Sequence, residues 1–323
     1  MTGAGKIYRV FDLVLQSELS LPNALSSPAE KADLLIRMRP DAAFDEARFE
    51  WFHQWKSPDG GTVIAVAKFE DEYLLRFPGL ADFHLSPSKS EIRVLPSDRV
   101  DESTLAHLLL DQVIPRWQSH RGRLVVHASA VELPGGTIVG FLGKSGSGKS
   151  TLASSFFASG ARMVSDDCLM LELQNNMVYA VPPYAGLRLW EDSRERFFPK
   201  EAGFETMALY TSKQQMILPD GGEDASVSSL PLKALFLLDR AEEPLVADNI
   251  NIEPESSGSF AAAALIESVF ALDLSSGAEV QRNFQRVGEI FSGSLQIFRL
   301  SYPRDYGLLP RVREAIHTVV DGI

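Results

Sequence analysis

The stretch Gly143-Lys144-Ser145-Gly146-Ser147-Gly148-Lys149-Ser150 constrains this chain more than any other. It fits the pattern G-x-x-x-x-G-K-[ST]. Glycines at that spacing let successive backbone N–H groups curl inward around phosphate oxygens. The lysine brings a cation to the β- and γ-phosphates, and the serine after it offers a hydroxyl to Mg²⁺. A helix that begins there adds the positive end of its dipole. The flanks agree: residues 137–142 read as a buried strand and residues 150–159 as a helix ending at Gly160. A strand, a glycine loop and a helix in that order predict an α/β fold holding a nucleotide phosphate. The binding residues would be Gly143 to Ser150, with Thr151 next in the helix.

The chain before the loop has a different character. Residues 7–95 carry period-2 alternation broken by short polar turns such as Asp59-Gly60-Gly61 and Pro78-Gly79, which predicts a series of strands. Trp51, Phe52, His53 and Trp55 form an aromatic cluster. It reads as core of this β-rich unit, with a peptide-docking surface as the sharper alternative. Residues 101–118 have helical spacing, Asp101 can cap them, and Pro115 is expected to kink or end the helix. The boundaries that follow are a β-rich unit over 1–98, a bridging helix and linker over 99–122, and the nucleotide unit over 123–323.

Within that last unit, residues 124–132 read as one strand that turns at Pro134-Gly135-Gly136 into the strand before the loop. The two are expected to pair antiparallel. Further strands are expected over 162–165, 168–173, 178–181, 232–238 and 295–300. Helices are expected over 191–197, 259–272 (buried), 281–291 and 306–320. Residues 219–230 read as a polar loop.

Bulk properties remove several classes of function. The 323 residues carry a formal net charge of −12, which argues against a broad nucleic-acid footprint and against anionic membranes. One cysteine, Cys168, excludes an intrachain disulfide framework. There is no apolar run long enough for a membrane span, and the first residues lack the apolar core of a signal peptide. The expected location is the cytoplasm. The six histidines, at 53, 84, 107, 120, 127 and 317, show no close ligand spacing, so a metal-only hydrolase is not expected.

Asp166-Asp167 follows the loop helix at a predicted strand end. In phosphoryl transfer one carboxylate holds Mg²⁺ and another accepts the proton of the attacking hydroxyl. Adjacent residues of a straight strand face opposite sides, so the pair can act together only if the backbone turns there. His127 lies on the strand that pairs with the loop strand, and spacing does not decide whether its ring faces the phosphates. Cys168 reads as a packing residue.

His127, the loop Gly143 to Ser150, and Ser165-Asp166-Asp167 follow in an order that resembles the HPr kinase/phosphorylase family. The segments at 183–190, 231–240 and 298–305, with Tyr8 to Leu13 and Leu21-Pro22, look like the HPr-kinase-like proteins of bacterial peptide-modification clusters, including lasso-peptide precursor kinases. The resemblance implies a mixed α/β fold, a compact relative of the phosphoenolpyruvate carboxykinase nucleotide domain. It implies ATP and Mg²⁺ as cofactors and a serine hydroxyl of a peptide or small protein as acceptor. By the same resemblance Lys149 and the loop amides bind the ATP phosphates, Ser150 and Asp167 hold Mg²⁺, and Asp166 accepts the serine proton with His127 beside it. The true family enzymes are oligomers, so a homo-oligomer stays open.

Two departures bear on the phosphorylase activity, on one metal ligand and on HPr as the substrate. The family's loop ends Lys-Ser-Glu where this chain has Lys149-Ser150-Thr151, and its glutamate-containing signature after the Asp-Asp pair has no clear match. Arg188, in the corresponding stretch, is either a phosphate-steadying group or a packing residue. Outside the kinase class, one alternative is an ATP-binding regulator with no acceptor. A transport-type ATPase fits worse: Asp239 ends an apolar strand but is followed by Arg240, and no Leu-Ser-Gly-Gly-Gln stretch is present.

Overall fold

Residues that alternate between apolar and polar side chains can bury one face of a strand and hydrate the other. In Leu13–Ser17 every second residue, Leu13, Leu15 and Ser17, is buried. In this computed structural model the residues described are 5–22, 24–29, 31–39, 45–57, 60–184, 186–189, 191–198, 204–208, 211–217, 229–238 and 249–323. The chain opens with β1 (Lys6–Val10), β2 (Leu13–Ser17), β3 (Leu25–Ser26), β4 (Leu34–Met38), β5 (Glu50–Lys56), β6 (Thr62–Phe69), β7 (Glu72–Phe77), β8 (Ala81–Ser86) and β9 (Glu91–Pro96). They form one sheet in the order β3-β1-β2-β4-β9-β8-β7-β6-β5. From β5 to β9 it is an antiparallel meander. Trp51, Phe52 and Trp55 are half-buried and pack against its cores.

The helical segment comes next. Asp101 caps α1 (Glu102–Leu108) by accepting the Thr104 amide at 2.7 Å. A π turn over Leu109–Val113 leads into α2 (Ile114–His120). Of the two outcomes expected at Pro115, a kink or an end, the helix does not end there. The proline sits in the first turn of α2, where a missing N–H costs little, and the wider π turn before it absorbs the change in hydrogen bonding. Leu105, Leu108, Leu109, Val113 and Trp117 share a core with the first sheet, and Val125, Met170 and Phe270 of the following unit enter that same core.

The remaining elements are β10 (Leu124–Val126), β11 (Ala128–Glu132), β12 (Ile138–Leu142), α3 (Lys149–Ala158), β13 (Arg162–Ser165), β14 (Leu169–Gln174), β15 (Met177–Val181), β16 (Gly186–Leu189), α4 (Glu191–Phe197), β17 (Glu205–Ala208), β18 (Thr211–Ile217), β19 (Leu230–Leu238), β20 (Asn251–Pro254), α5 (Gly258–Ser268), α6 (Gly277–Phe291), β21 (Gln296–Ser301) and α7 (Leu309–Asp321). The second sheet runs β10-β14-β15-β19-β12-β11-β13, with β21 also on β19 and β20 on β21. A small third sheet has the order β16-β18-β17. The architecture is mixed α/β. β12, β19 and β21 are parallel neighbours, and both faces of the two inner strands are buried. Val139, Phe141 and Phe236 face the core that contains α3 and α7 residues. Ile138, Leu142, Leu235 and Leu237 face the one that contains α5 and α6 residues. Continuous apolar runs are what such doubly covered strands need.

Several sequence expectations need correction. Residues 124–132 are not one strand. His127 separates β10, which pairs with β14, from β11, which pairs with β12 and β13. The helix expected over 259–272 stops at Ser268, and only Ala261 and Leu265 in it are buried. The helix expected from 281 begins at Gly277, because Ser276 caps it by accepting the Glu279 amide. Residues 219–228, Asp239 and Arg240 lie outside the described residues, as does the side chain of Arg188.

Residues 268–279 tie the two large sheets together. Val269 bridges Val126, and the Phe270 amide donates to the Val125 carbonyl. Asp273, fully buried, accepts from Lys68 Nζ of β6 at 2.8 Å and from the Tyr73 hydroxyl of β7 at 3.1 Å. Its other oxygen accepts the Ser275 and Ser276 amides and the Ser275 hydroxyl. Glu279 accepts the Leu272 and Asp273 amides and contacts His120 Nδ1 at 3.0 Å.

Candidate functional site

The register of the second sheet gathers the sequence-singled residues at one edge. Ala128 pairs with Leu142, so His127 stands level with Gly143. Ala130 pairs with Ser165, so the Asp166-Asp167 pair follows at the same level. Leu142 pairs with Leu237, and Leu238 with Leu300. The carboxyl ends of β12, β13, β19 and β21 and the amino end of β11 therefore share a rim. In open α/β sheets, ligands bind outside the carboxyl ends of the strands.

Residues 143–148 join β12 to α3. Gly146 and Gly148 have φ of 74° and 95°, a left-handed backbone that favours glycine. A Cβ on Gly143 would come within 2.7 Å of Ser147 Oγ and 2.8 Å of the Leu238 carbonyl oxygen. Nothing but glycine fits that close approach. Lys149 is only 4% exposed, and its Nζ donates to the Gly143 carbonyl at 2.7 Å and the Lys144 carbonyl at 3.3 Å. The ammonium thus lies folded back over the loop. Ser147 Oγ is buried and finds no partner among the described residues. Lys144 stands on the exposed rim, 4.0 Å from Glu267. Thr151 touches Ser193 Oγ at 3.3 Å, and Ser193 touches the Tyr306 hydroxyl at 2.9 Å. The backbone oxygen of Ser150 accepts from Ser154 Oγ.

The backbone does bend at Asp166 and Asp167, the condition under which adjacent carboxylates can serve one centre. Three side chains hold the carbonyls of this turn. Ser129 Oγ donates to the Asp166 carbonyl at 2.5 Å, His127 Nδ1 donates to that of Asp167 at 2.7 Å, and Ser165 Oγ donates to that of Cys168. A carbonyl only accepts, so Nδ1 carries a proton and, in the neutral ring, Nε2 carries the lone pair. His127 is further fixed by its own amide, which donates to the Ser268 carbonyl at 2.8 Å, and by the Phe270 ring edge-on at 6.1 Å. Cys168 is a buried thiol.

Two residues of this neighbourhood escaped the sequence reading. Ser129 sits between alanines in a buried strand and contacts both the backbone and the carboxylate of Asp166. Tyr302 follows β21, and its hydroxyl lies 3.7 Å from where a Cβ on Gly148 would be. Burial pushes the Tyr302 phenol up to about 12, against a smaller opposing effect of Arg304. Ser129 carries no local motif, and Tyr302 falls in the 298–305 stretch of the resemblance without a role given to it there.

A nucleotide with its metal would ask less of these side chains than a metal held by protein ligands alone. Among the described residues no group of three His, Cys, Asp or Glu side chains could hold an ion. Mg²⁺ keeps several waters and takes one or two carboxylates together with substrate phosphates, and Ser150 and Asp167 would suffice for that. The glycine cradle and the buried Ser147 hydroxyl would face a phosphate held there. No helix among the described residues is long and apolar enough to cross a membrane.

No protein-family model and no curated protein matches the chain. Among solved structures, the Hpr(Ser) kinase/phosphatase from Coxiella burnetii is a distant match, 16% identical, at a TM-score of 0.33. The alignment covers 60% of this chain and 94% of that one.

Proposed function

We propose that this chain is an ATP-dependent serine kinase acting on a peptide or small protein. The observation that carries the reading is the shared rim of His127, the glycine loop with Lys149, and the bent Asp166-Asp167 pair. Lys149 and the loop amides would grip the nucleotide phosphates. Ser150 and Asp167 would hold Mg²⁺. Bound MgATP supplies the transferable phosphoryl group and neutralises its charge. The chain's own work is to align a serine hydroxyl and to receive its proton on Asp166 as the new oxygen–phosphorus bond forms and ADP leaves. His127, pinned to the Asp167 carbonyl, would keep the turn in place beside the base. Positioning and electrostatics are what phosphoryl transfer asks of a protein.

The test offers ATP and any short serine-containing peptide found encoded beside the gene, and measures phosphopeptide and ADP. The expected result is acceptor-dependent ADP release by the wild type and its loss in Asp166→Asn. If no peptide is phosphorylated and the wild type matches Asp166→Asn, the kinase reading fails. ATP binding without acceptor-dependent turnover would instead make the chain an ATP-binding regulator.

A further inference from the structure

We infer that Ser129 is a positioning residue for Asp166, an inference that rests on the kinase reading above. Ser129 is fully buried on β11, between Ala128 and Ala130, and pairs in register with Phe141 of β12. A hydroxyl in such surroundings is costly unless it is hydrogen-bonded. Its partner is a single residue approached at two points. Ser129 Oγ lies 2.5 Å from the Asp166 backbone carbonyl and 3.2 Å from Asp166 Oδ1. Contact with the carbonyl alone would fix the turn and leave the side chain to rotate. Contact with the carboxylate alone would leave the backbone to rock. The single hydroxyl proton points chiefly at the nearer carbonyl and is shared with Oδ1, so one group references both the backbone and the direction of the carboxylate.

The placement of Ser129 is itself rigid. β11 is paired on both sides, with β12 and with β13, and Asp166 is 3% exposed. The carboxylate is therefore held from the strand that also pairs with the loop strand, so the direction of the base is referenced to the phosphate cradle. Displacement of a reacting group by about 1 Å costs on the order of 10²-fold in rate. Ser129 itself would touch neither nucleotide nor acceptor. Its effect passes through Asp166.

The experiment compares Ser129→Ala, Ser129→Cys and Ser129→Thr with the wild type. Cysteine keeps the volume with only a weak donor, and threonine keeps the hydroxyl. Ser129→Ala and Ser129→Cys are expected to lose at least about tenfold in kcat with KM for ATP within about twofold, while Ser129→Thr recovers most of the rate. If Ser129→Ala does not fold, Ser129→Cys decides. A kcat within about twofold of wild type in the folded Ala or Cys variant overturns the inference, as does a folded Ser129→Thr as slow as Ser129→Ala. Amide hydrogen exchange gives a readout without activity. Residues 166–168 should exchange at least about tenfold faster in Ser129→Cys while 138–142 keep their protection. Unchanged exchange at 166–168 overturns the inference even if no acceptor is ever phosphorylated; a wild type inactive with every acceptor defeats the kinase reading alone.

Discussion

Replacing Asp273 with asparagine removes the one charge that Lys68 and Tyr73 share across the two sheets. The carboxylate is fully buried and takes three donors from residues 275–276 on one oxygen and two from the first sheet on the other. An asparagine amide must turn its NH₂ toward one of those groups, so donors meet donors in either orientation. A hydrogen bond to a charged group contributes about 1.5–3 kcal/mol. Because the Lys68 side chain is 37% exposed, solvent screening argues for the lower part of that range. Adding the misplaced donors gives a loss of about 2–3 kcal/mol. At about 2.1 cal/mol/K of unfolding entropy per residue, that lowers Tm by about 3–4 °C if the chain unfolds as one unit.

The loss has a pH signature. Burial raises the Asp273 pKa, but bonds from Lys68, Ser275 and Tyr73 outweigh it and hold the carboxyl below its usual range. A folded pKa below the unfolded one gives stability that is present above about pH 4 and fades as pH falls through the folded value. The hydrogen bond that Lys68 donates to Asp273 holds its ammonium above the usual range, so its share is present below about pH 10.4 and fades above it. Urea unfolding of wild type and Asp273→Asn across pH should therefore show a gap that is widest between those limits. Equal midpoints at pH 7, or a gap undiminished at about pH 2, would refute the reasoning.

Two further perturbations act on the loop. Lys149→Ala should weaken ATP binding by at least about tenfold by calorimetry, since the ammonium sits on the carbonyls of the loop itself; unchanged affinity would remove Lys149 from the site. Gly143→Ala forces a methyl within 2.8 Å of the Leu238 carbonyl oxygen, and a denaturant midpoint should report a loss of about 1–3 kcal/mol.

Local chemistry made the strand, glycine loop and short helix at 138–158 readable, because φ-demanding glycines and a buried apolar run leave their marks in consecutive residues. The bend at Asp166-Asp167 was readable as a requirement. The break at His127 was not. Leu124 to Glu132 is apolar almost throughout, and what splits it is pairing with Val269 on one side and with β13 on the other. Ser129 was invisible for the same reason, since its partner lies thirty-seven residues away. The early start of α6 had a signal in Ser276-Gly277-Ala278-Glu279, a serine cap with glutamate three residues on. There the glutamate side chain turns instead to the amides of Leu272 and Asp273.

The hydrogen-bonded path of the second sheet starts on β10 and finishes beyond β11, two strands parted by a single residue. Their partners β14 and β13 are parted by residues 166–168. The sheet thus returns to its own beginning at His127 and the Asp-Asp turn. Both links lie between ladders on either side, so an extra residue must be taken up as a bulge, as the β11–β13 ladder already does between Ala130 and Val131, or it slips a register and turns a strand's side chains to the opposite face. Length is therefore constrained at this join as well as sequence.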